Sequence, residues 1–199
     1  MPHGTPVPFY QVDAFTDQPF RGNPAGVCLL DDPLPPETMQ AIAAEMNLSE
    51  TAFVQPPDGE GIRRLQWFTP TVEVPLCGHA TLATSHVLLR EVGVEPPLSF
   101  STLSGILEVD AAEEGWLQMD FPADPPIPAP PPQGLLEVLE CAPGATTHVA
   151  VKAWVVRVAT EAEVRRMAPD FGHLARIDLG ATPLGVIVTA PGEGETDFV

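Results

Sequence analysis

The stretch from Pro75 to Arg90, PLCGHATLATSHVLLR, constrains the fold more than any other. It reads as a glycine turn that opens directly into a helix. Ala80, Leu82, Ala83, Val87, Leu88 and Leu89 spread apolar side chains around most of its circumference, so the helix has to be enclosed by protein. Cys77 and His79, two reactive residue types, flank Gly78 at the first turn. That end of a helix offers unpaired N–H groups and a partial positive charge, which suits an anion such as a substrate carboxylate.

What encloses the helix is legible on both sides of it. Phe9–Phe15 and Ala25–Leu30 read as strands, joined by turn chemistry from Thr16 to Pro24. A helix from Pro35 or Pro36 to Met46 follows, with proline in the first turn and Asn47 as its C-cap. Leu48–Val54 and Ile62–Phe68 form an antiparallel pair around the Pro56-Pro57-Asp58-Gly59 turn, and Val72–Leu76 leads into the helix. Beyond Gly93, Leu98–Thr102, Gly105–Val109 and Trp116–Phe121 are short strands. One long apolar helix among some seven short strands predicts an α+β unit, a curled sheet wrapped around the helix, over residues 1–121. Residues 122–132 (PADPPIPAPPP) read as a stiff proline-rich linker. Residues 133–199 carry helices near Leu135–Leu139 and Glu161–Met167 and strands at His148–Ala159 and Pro183–Ala190. They hold no second long apolar helix, so this second domain reads as incomplete.

Charge narrows the function. Nine Lys and Arg against 27 Asp and Glu leave a formal net charge of −18, with no compensating basic stripe. Such a surface repels nucleic acid and anionic membranes, and an anionic substrate has to be held by local dipoles. The three cysteines, Cys28, Cys77 and Cys141, are odd in number and widely spaced, which fits a reducing cytoplasm better than a disulfide framework. There is no basic-then-apolar leader pattern at the N-terminus and no apolar run of spanning length. No Gly-rich phosphate loop and no Gly-x-Ser-x-Gly elbow appears, so a nucleotide or flavin cofactor is not indicated.

Three residues can carry chemistry, and each has a plainer reading beside it. In a strand, Glu50 shares a face with Ala52 and Val54. A carboxylate with such neighbours is partly desolvated, which suits a general acid or base; at a strand end it can equally point into solvent. His79 can donate to a substrate or shuttle a proton, or simply bond local backbone. Cys77 can be a thiolate stabilised by the helix terminus, or a small buried hydrophobe. His86, two turns on, reads as a packed core histidine. Cys77 and His79 have no second pair at ligand spacing, so no metal site is expected.

Gly22-Asn23-Pro24-Ala25-Gly26-Val27, Leu48-Ser49-Glu50-Thr51-Ala52-Phe53-Val54, Trp67-Phe68-Thr69-Pro70 and Pro75-Leu76-Cys77-Gly78-His79-Ala80-Thr81-Leu82-Ala83 follow one another in that order. Together they strongly resemble the phenazine biosynthesis PhzF-like proteins, relatives of diaminopimelate epimerase. The resemblance covers the whole chain, more loosely after residue 122. It implies two similar halves, each a curled, mostly antiparallel sheet around a central helix, with the active site in the cleft between them. It also implies cofactor-independent isomerisation of a small cyclic amino acid bearing a carboxylate. Glu50 matches the family's general acid/base, Gly78 and His79 match residues that contact substrate, and Asn23 matches an asparagine lining the cleft.

Two departures from that pattern shape the expectations. The family's second half normally runs past a segment like Asp197-Phe198-Val199 into an aspartate-containing turn and a Gly-Ser-Ala helix start. Without that portion the chain is expected to be poorly active alone, and to work as a homodimer or with a second chain supplying the missing half. Secondly, Cys77 stands where diaminopimelate epimerase has one of two catalytic cysteines, so it is a candidate substrate-binding or reacting group. The alternatives to the isomerase are therefore a cysteine-dependent amino-acid racemase or epimerase, and a non-catalytic binding protein of the same fold.

Overall fold

The structure, a computed structural model, describes residues 6–121, 123–150, 153–180, 185–194 and 196–199. Pro122 of the expected linker, and positions 151–152 and 183–184 of two expected strands, lie outside the described residues. The chain divides into two compact units, Met1–Phe121 and Pro122–Val199.

The first unit runs β1 (Phe9–Ala14), β2 (Asn23–Leu29), α1 (Pro36–Met46), β3 (Glu50–Pro57), β4 (Ile62–Phe68), β5 (Glu73–Val74) and α2 (Gly78–Val87). It closes with β6 (Leu98–Thr102), β7 (Gly105–Ala111) and β8 (Leu117–Asp120). The strands form a single sheet in the order β1-β2-β3-β4-β6-β7-β8, with β5 beside β4. Only β2–β3 and β4–β6 pair in parallel. This is the curled, mostly antiparallel sheet around a helix that the sequence predicts.

Period-two alternation sorts the sheet's side chains between two helices. Ala25 and Val27 of β2, Ala52 and Val54 of β3, Leu65 and Trp67 of β4, Phe100 of β6 and Leu107 and Val109 of β7 bury against Ala80, Ala83 and Val87 of α2. The odd-numbered neighbour on β3, Phe53, turns the other way and joins Cys28, Phe68, Met39 and Ala43 under α1. There the Phe53 and Phe68 rings meet edge to face, 5.6 Å apart.

α2 differs from its expected form in which residues are buried. Thr81, Thr84 and Ser85 are fully enclosed, whereas Leu82 and Leu89 are only half-buried. The hydroxyls of Thr84 and Ser85 bond back to the carbonyls of Ala80 and Thr81, so each brings its own partner into the core. His86 is exposed, correcting its reading as a core histidine. The helix ends in a wide turn, Leu88–Val92, stopped by Gly93 at φ 78°.

The second unit has a four-stranded sheet, β9 (Ile127–Pro128), β10 (Thr146–Val149), β11 (Ala153–Arg157) and β12 (Gly185–Thr189), in the order β12-β11-β10-β9. Three short helices accompany it: α3 (Leu135–Val138), α4 (Glu161–Arg166) and α5 (Phe171–Leu174). Two expectations need correction. The strand expected over His148–Ala159 is the hairpin β10–β11, in which Val149 faces Trp154. The proline run is not all linker, since Ile127 and Pro128 pair with Val149 and His148 at the sheet edge, where proline's missing N–H is tolerated. Leu135, Val138, Leu139, Trp154, Val156, Val158 and Ala190 form this unit's own core. No described helix is long and apolar enough to cross a membrane.

Candidate active site

Glu50 reaches its position through the end of α1. Asn47 caps that helix in the left-handed region, Leu48 and Ser49 bend, and Glu50 is the first residue of β3. The expected strand start at Leu48 is therefore two residues early. Parallel pairing puts Glu50 opposite Ala25, and strand alternation turns its side chain to the α2 side with Ala52 and Val54.

The start of α2 comes to the same spot. His79 Nε2 lies 3.4 Å from Glu50 Oε2 and 3.1 Å from Ser49 Oγ, while the other ring nitrogen, Nδ1, lies 3.4 Å from Cys77 Sγ. Side-chain exposure is 10% for His79 and 20% for Glu50, so the carboxylate keeps the outlet to solvent. Burial holds the His79 pKa below its ordinary 6.5, against the pull of the Glu50 charge in the other direction. The imidazole is thus neutral at pH 7, so its 3.4 Å contact with Glu50 is not an ion pair.

Cys77 occupies the N-cap of α2 in extended conformation. Burial pushes its thiol up to about 12, and the Glu50 charge adds to the rise; the amides of Ala80 and His79 pull it the other way but lose. Burial thus favours the thiol over the thiolate at Cys77, because desolvation outweighs the dipole at the helix start. A facing thiol is absent from the described part of this unit, because Cys28 packs under α1 on the opposite side of the sheet.

Asn23 and Gly78 complete the expected set. Asn23 opens β2 two residues before Ala25, so it sits at the same end of the sheet and on the same face as Glu50, exposed and without a hydrogen bond to Glu50, His79 or Cys77. Gly78 is the first residue of α2. A Cβ placed there would meet only the Phe121 ring, at the ordinary distance of 3.9 Å, so packing within the chain does not demand glycine. Gly22 is the contrast: a Cβ there would lie 2.3 Å from the Ala14 carbonyl oxygen.

Sequence reasoning missed Ser49 as a partner of the ring, although it directly precedes Glu50 in the quoted motif. It also missed that Glu50, Cys77 and His79 form a group whose ligand atoms lie within 4.8 Å of one another. Spacing along one helix could not show this, because the carboxylate arrives from β3. The donor set of carboxylate, thiol and imidazole is one that a zinc-like ion accepts. In its closest contacts the ring turns different nitrogens to the sulfur and to the carboxylate.

Residues 12–198 match the PhzC-PhzF family, described as phenazine biosynthesis-like protein. An uncharacterized isomerase of Pseudomonas aeruginosa is 49% identical over 96% of this chain and 70% of its own length. An uncharacterized isomerase of Halalkalibacterium halodurans is 41% identical over 97% and 71%. Among solved structures, a PhzF-family phenazine biosynthesis protein of Enterococcus faecalis superposes with a TM-score of 0.84 at 40% identity, over 96% of this chain and 71% of that one. Sequence match, fold and near-complete coverage agree: this chain belongs to the PhzC-PhzF family of phenazine biosynthesis-like proteins.

Proposed function

We propose that the chain is an isomerase that moves a proton between carbons of a small carboxylate-bearing substrate, with Glu50 as general acid/base. One observation carries the reading: a carboxylate one-fifth exposed stands 3.4 Å from a buried, neutral imidazole at the first turn of an enclosed helix. An ionised Glu50 takes a proton from a carbon next to a carboxylate or amine. The C–H electron pair stays in the substrate as its double bond shifts, and Glu50 returns the proton elsewhere. Nothing is oxidised or reduced overall, so the chemistry asks for no redox cofactor.

Helix α2 supplies the grip. The open backbone at Gly78 lets a carboxylate approach the helix terminus, and His79 orients the reacting group. Asn23, on the same face and at the same end of the sheet, lines the approach. The isomerase names of the relatives favour this reading over a binding protein of the same fold. The cysteine-dependent racemase is disfavoured by the thiol held near 12.

The test uses deuterium. The protein is incubated in D2O with a panel of small cyclic amino acids bearing a carboxylate, and uptake is followed by mass spectrometry. Solvent deuterium that wild-type protein incorporates into a member of the panel, even at a low rate, should fall at least about a hundredfold in Glu50→Gln. Exchange by Glu50→Gln equal to wild type would remove Glu50 from the mechanism.

A further inference from the structure

The Cys77 side chain is left without a role by that mechanism, yet it is buried 3.4 Å from the one nitrogen of His79 that does not face Glu50. We propose that the Cys77 thiol is a positioning residue that fixes His79 as its Nε2–H tautomer, so that the proton-bearing nitrogen is the one turned to Glu50 and Ser49.

The argument is one of donors and acceptors. A neutral imidazole has one N–H and one bare nitrogen, and its partners decide which is which. Cys77 is a thiol at neutral pH, since burial outweighs the helix terminus. The positive ends of the Ala80 and His79 amides face its sulfur, short of a full capping hydrogen bond. The amides favour the sulfur's electron-rich side, and the thiol proton is free to be offered to Nδ1. On the other side of the ring, an ionised Glu50 carboxylate can only accept. The opposite tautomer would set a bare Nε2 against that carboxylate and an Nδ1–H against a protonated sulfur. Both ends of the ring thus favour the same form. The thiol donates to Nδ1, and Nε2–H bonds Ser49 Oγ at 3.1 Å with Glu50 Oε2 beside it at 3.4 Å.

The inference rests on the proposed function for its catalytic meaning, because a donor fixed toward Glu50 keeps the carboxylate aimed. Its test needs no substrate and so can fail separately. Protein labelled with 15N-histidine is examined at pH 7.5 by long-range 1H–15N correlation, with the His79 ring assigned by its loss in His79→Gln. The expected result is a single pattern with Nε2 protonated and Nδ1 bare. Cys77→Ala should lose that pattern in favour of a mixture, and Cys77→Ser, whose hydroxyl also donates, should restore it. A wild-type ring protonated on Nδ1 overturns the proposal without any variant. So does a Cys77→Ala spectrum identical to wild type. Deuterium exchange lost in Glu50→Gln with the tautomer wrong would leave the isomerase reading standing and this one not.

Discussion

Glu50, Thr51 and Cys77 illustrate how a single position settles between chemistry and packing. Glu50 and Thr51 are adjacent on β3, so alternation sends one toward α2 and the other away from it. Thr51 is fully buried and its hydroxyl has no partner among the described residues. An orphaned buried hydroxyl is unfavourable, and Thr51→Val, which keeps the branched shape, should raise unfolding stability by about 1 kcal/mol in urea titrations. An unchanged or lowered midpoint would mean that the hydroxyl does find a partner. The buried thiols give a second residue-scale expectation. Cys28 and Cys77 are both pushed from 9.0 to about 12 by burial. Native protein at pH 8 should therefore label slowly with iodoacetamide at both, and rapidly once unfolded. The sign for stability follows from proton counts: between pH 9 and about 12 the folded state holds protons that the unfolded chain releases. This contribution is intact below pH 9 and is lost as pH rises toward 12, so urea midpoints should fall from pH 8 to pH 10.5. At this scale the sequence named Glu50, His79 and Cys77 but could not choose their states. Whether Cys77 is a thiol or a thiolate depends on how much protein surrounds it, and that is a property of the packed unit.

Helix α2 shows what an element needs beyond an apolar pattern. Its buried residues are His79, Ala80, Thr81, Ala83, Thr84, Ser85 and Val87, and the five from Ala80 to Ser85 among them are small. Small side chains let the helix lie close to the sheet, and the back-bonding hydroxyls make the polar ones acceptable there. Enlarging that face should be costly. Ala83→Leu, at a position 1% exposed, should lower stability by about 1–3 kcal/mol through overpacking, read from chemical denaturation. A neutral result would reveal slack between α2 and the sheet. The enclosed helix itself was legible from its glycine turn and its apolar breadth. The outward turn of His86 was not, since the sequence gives no helix phase when almost every side is apolar. The hairpin within His148–Ala159 was hidden for a similar reason: one continuous β-prone run carries no mark of where the chain reverses. In the proline run, Ile127 and Pro128 become a strand only because β10 lies beside them.

For the whole molecule, charge is the dominant global term. A formal −18 on 199 residues makes the folded state repel itself. Arg165 with Glu161 is an ion pair that relieves it locally. Stability should therefore rise with salt: the thermal midpoint should climb by a few degrees between about 0.01 M and about 0.15 M NaCl, as the Debye length shrinks toward about 8 Å. A flat response would show that the negative charges are too far apart to matter. The same field repels anions except where helix dipoles are bare, as at the Gly78 end of α2. What the sequence determined by itself is the set of local choices. It specified the strand alternation, the cap at Asn47, the glycine turn into an enclosed helix, and the motifs that mark the family. These follow from short-range sterics and periodicity, which a linear text records. What only the tertiary structure decided is the joining of the Ser49-Glu50 bend to the start of α2, 30 residues on, with His79 between a carboxylate and a thiol. Burial and the direction of approach set protonation states, and neither exists until the sheet has curled around the helix.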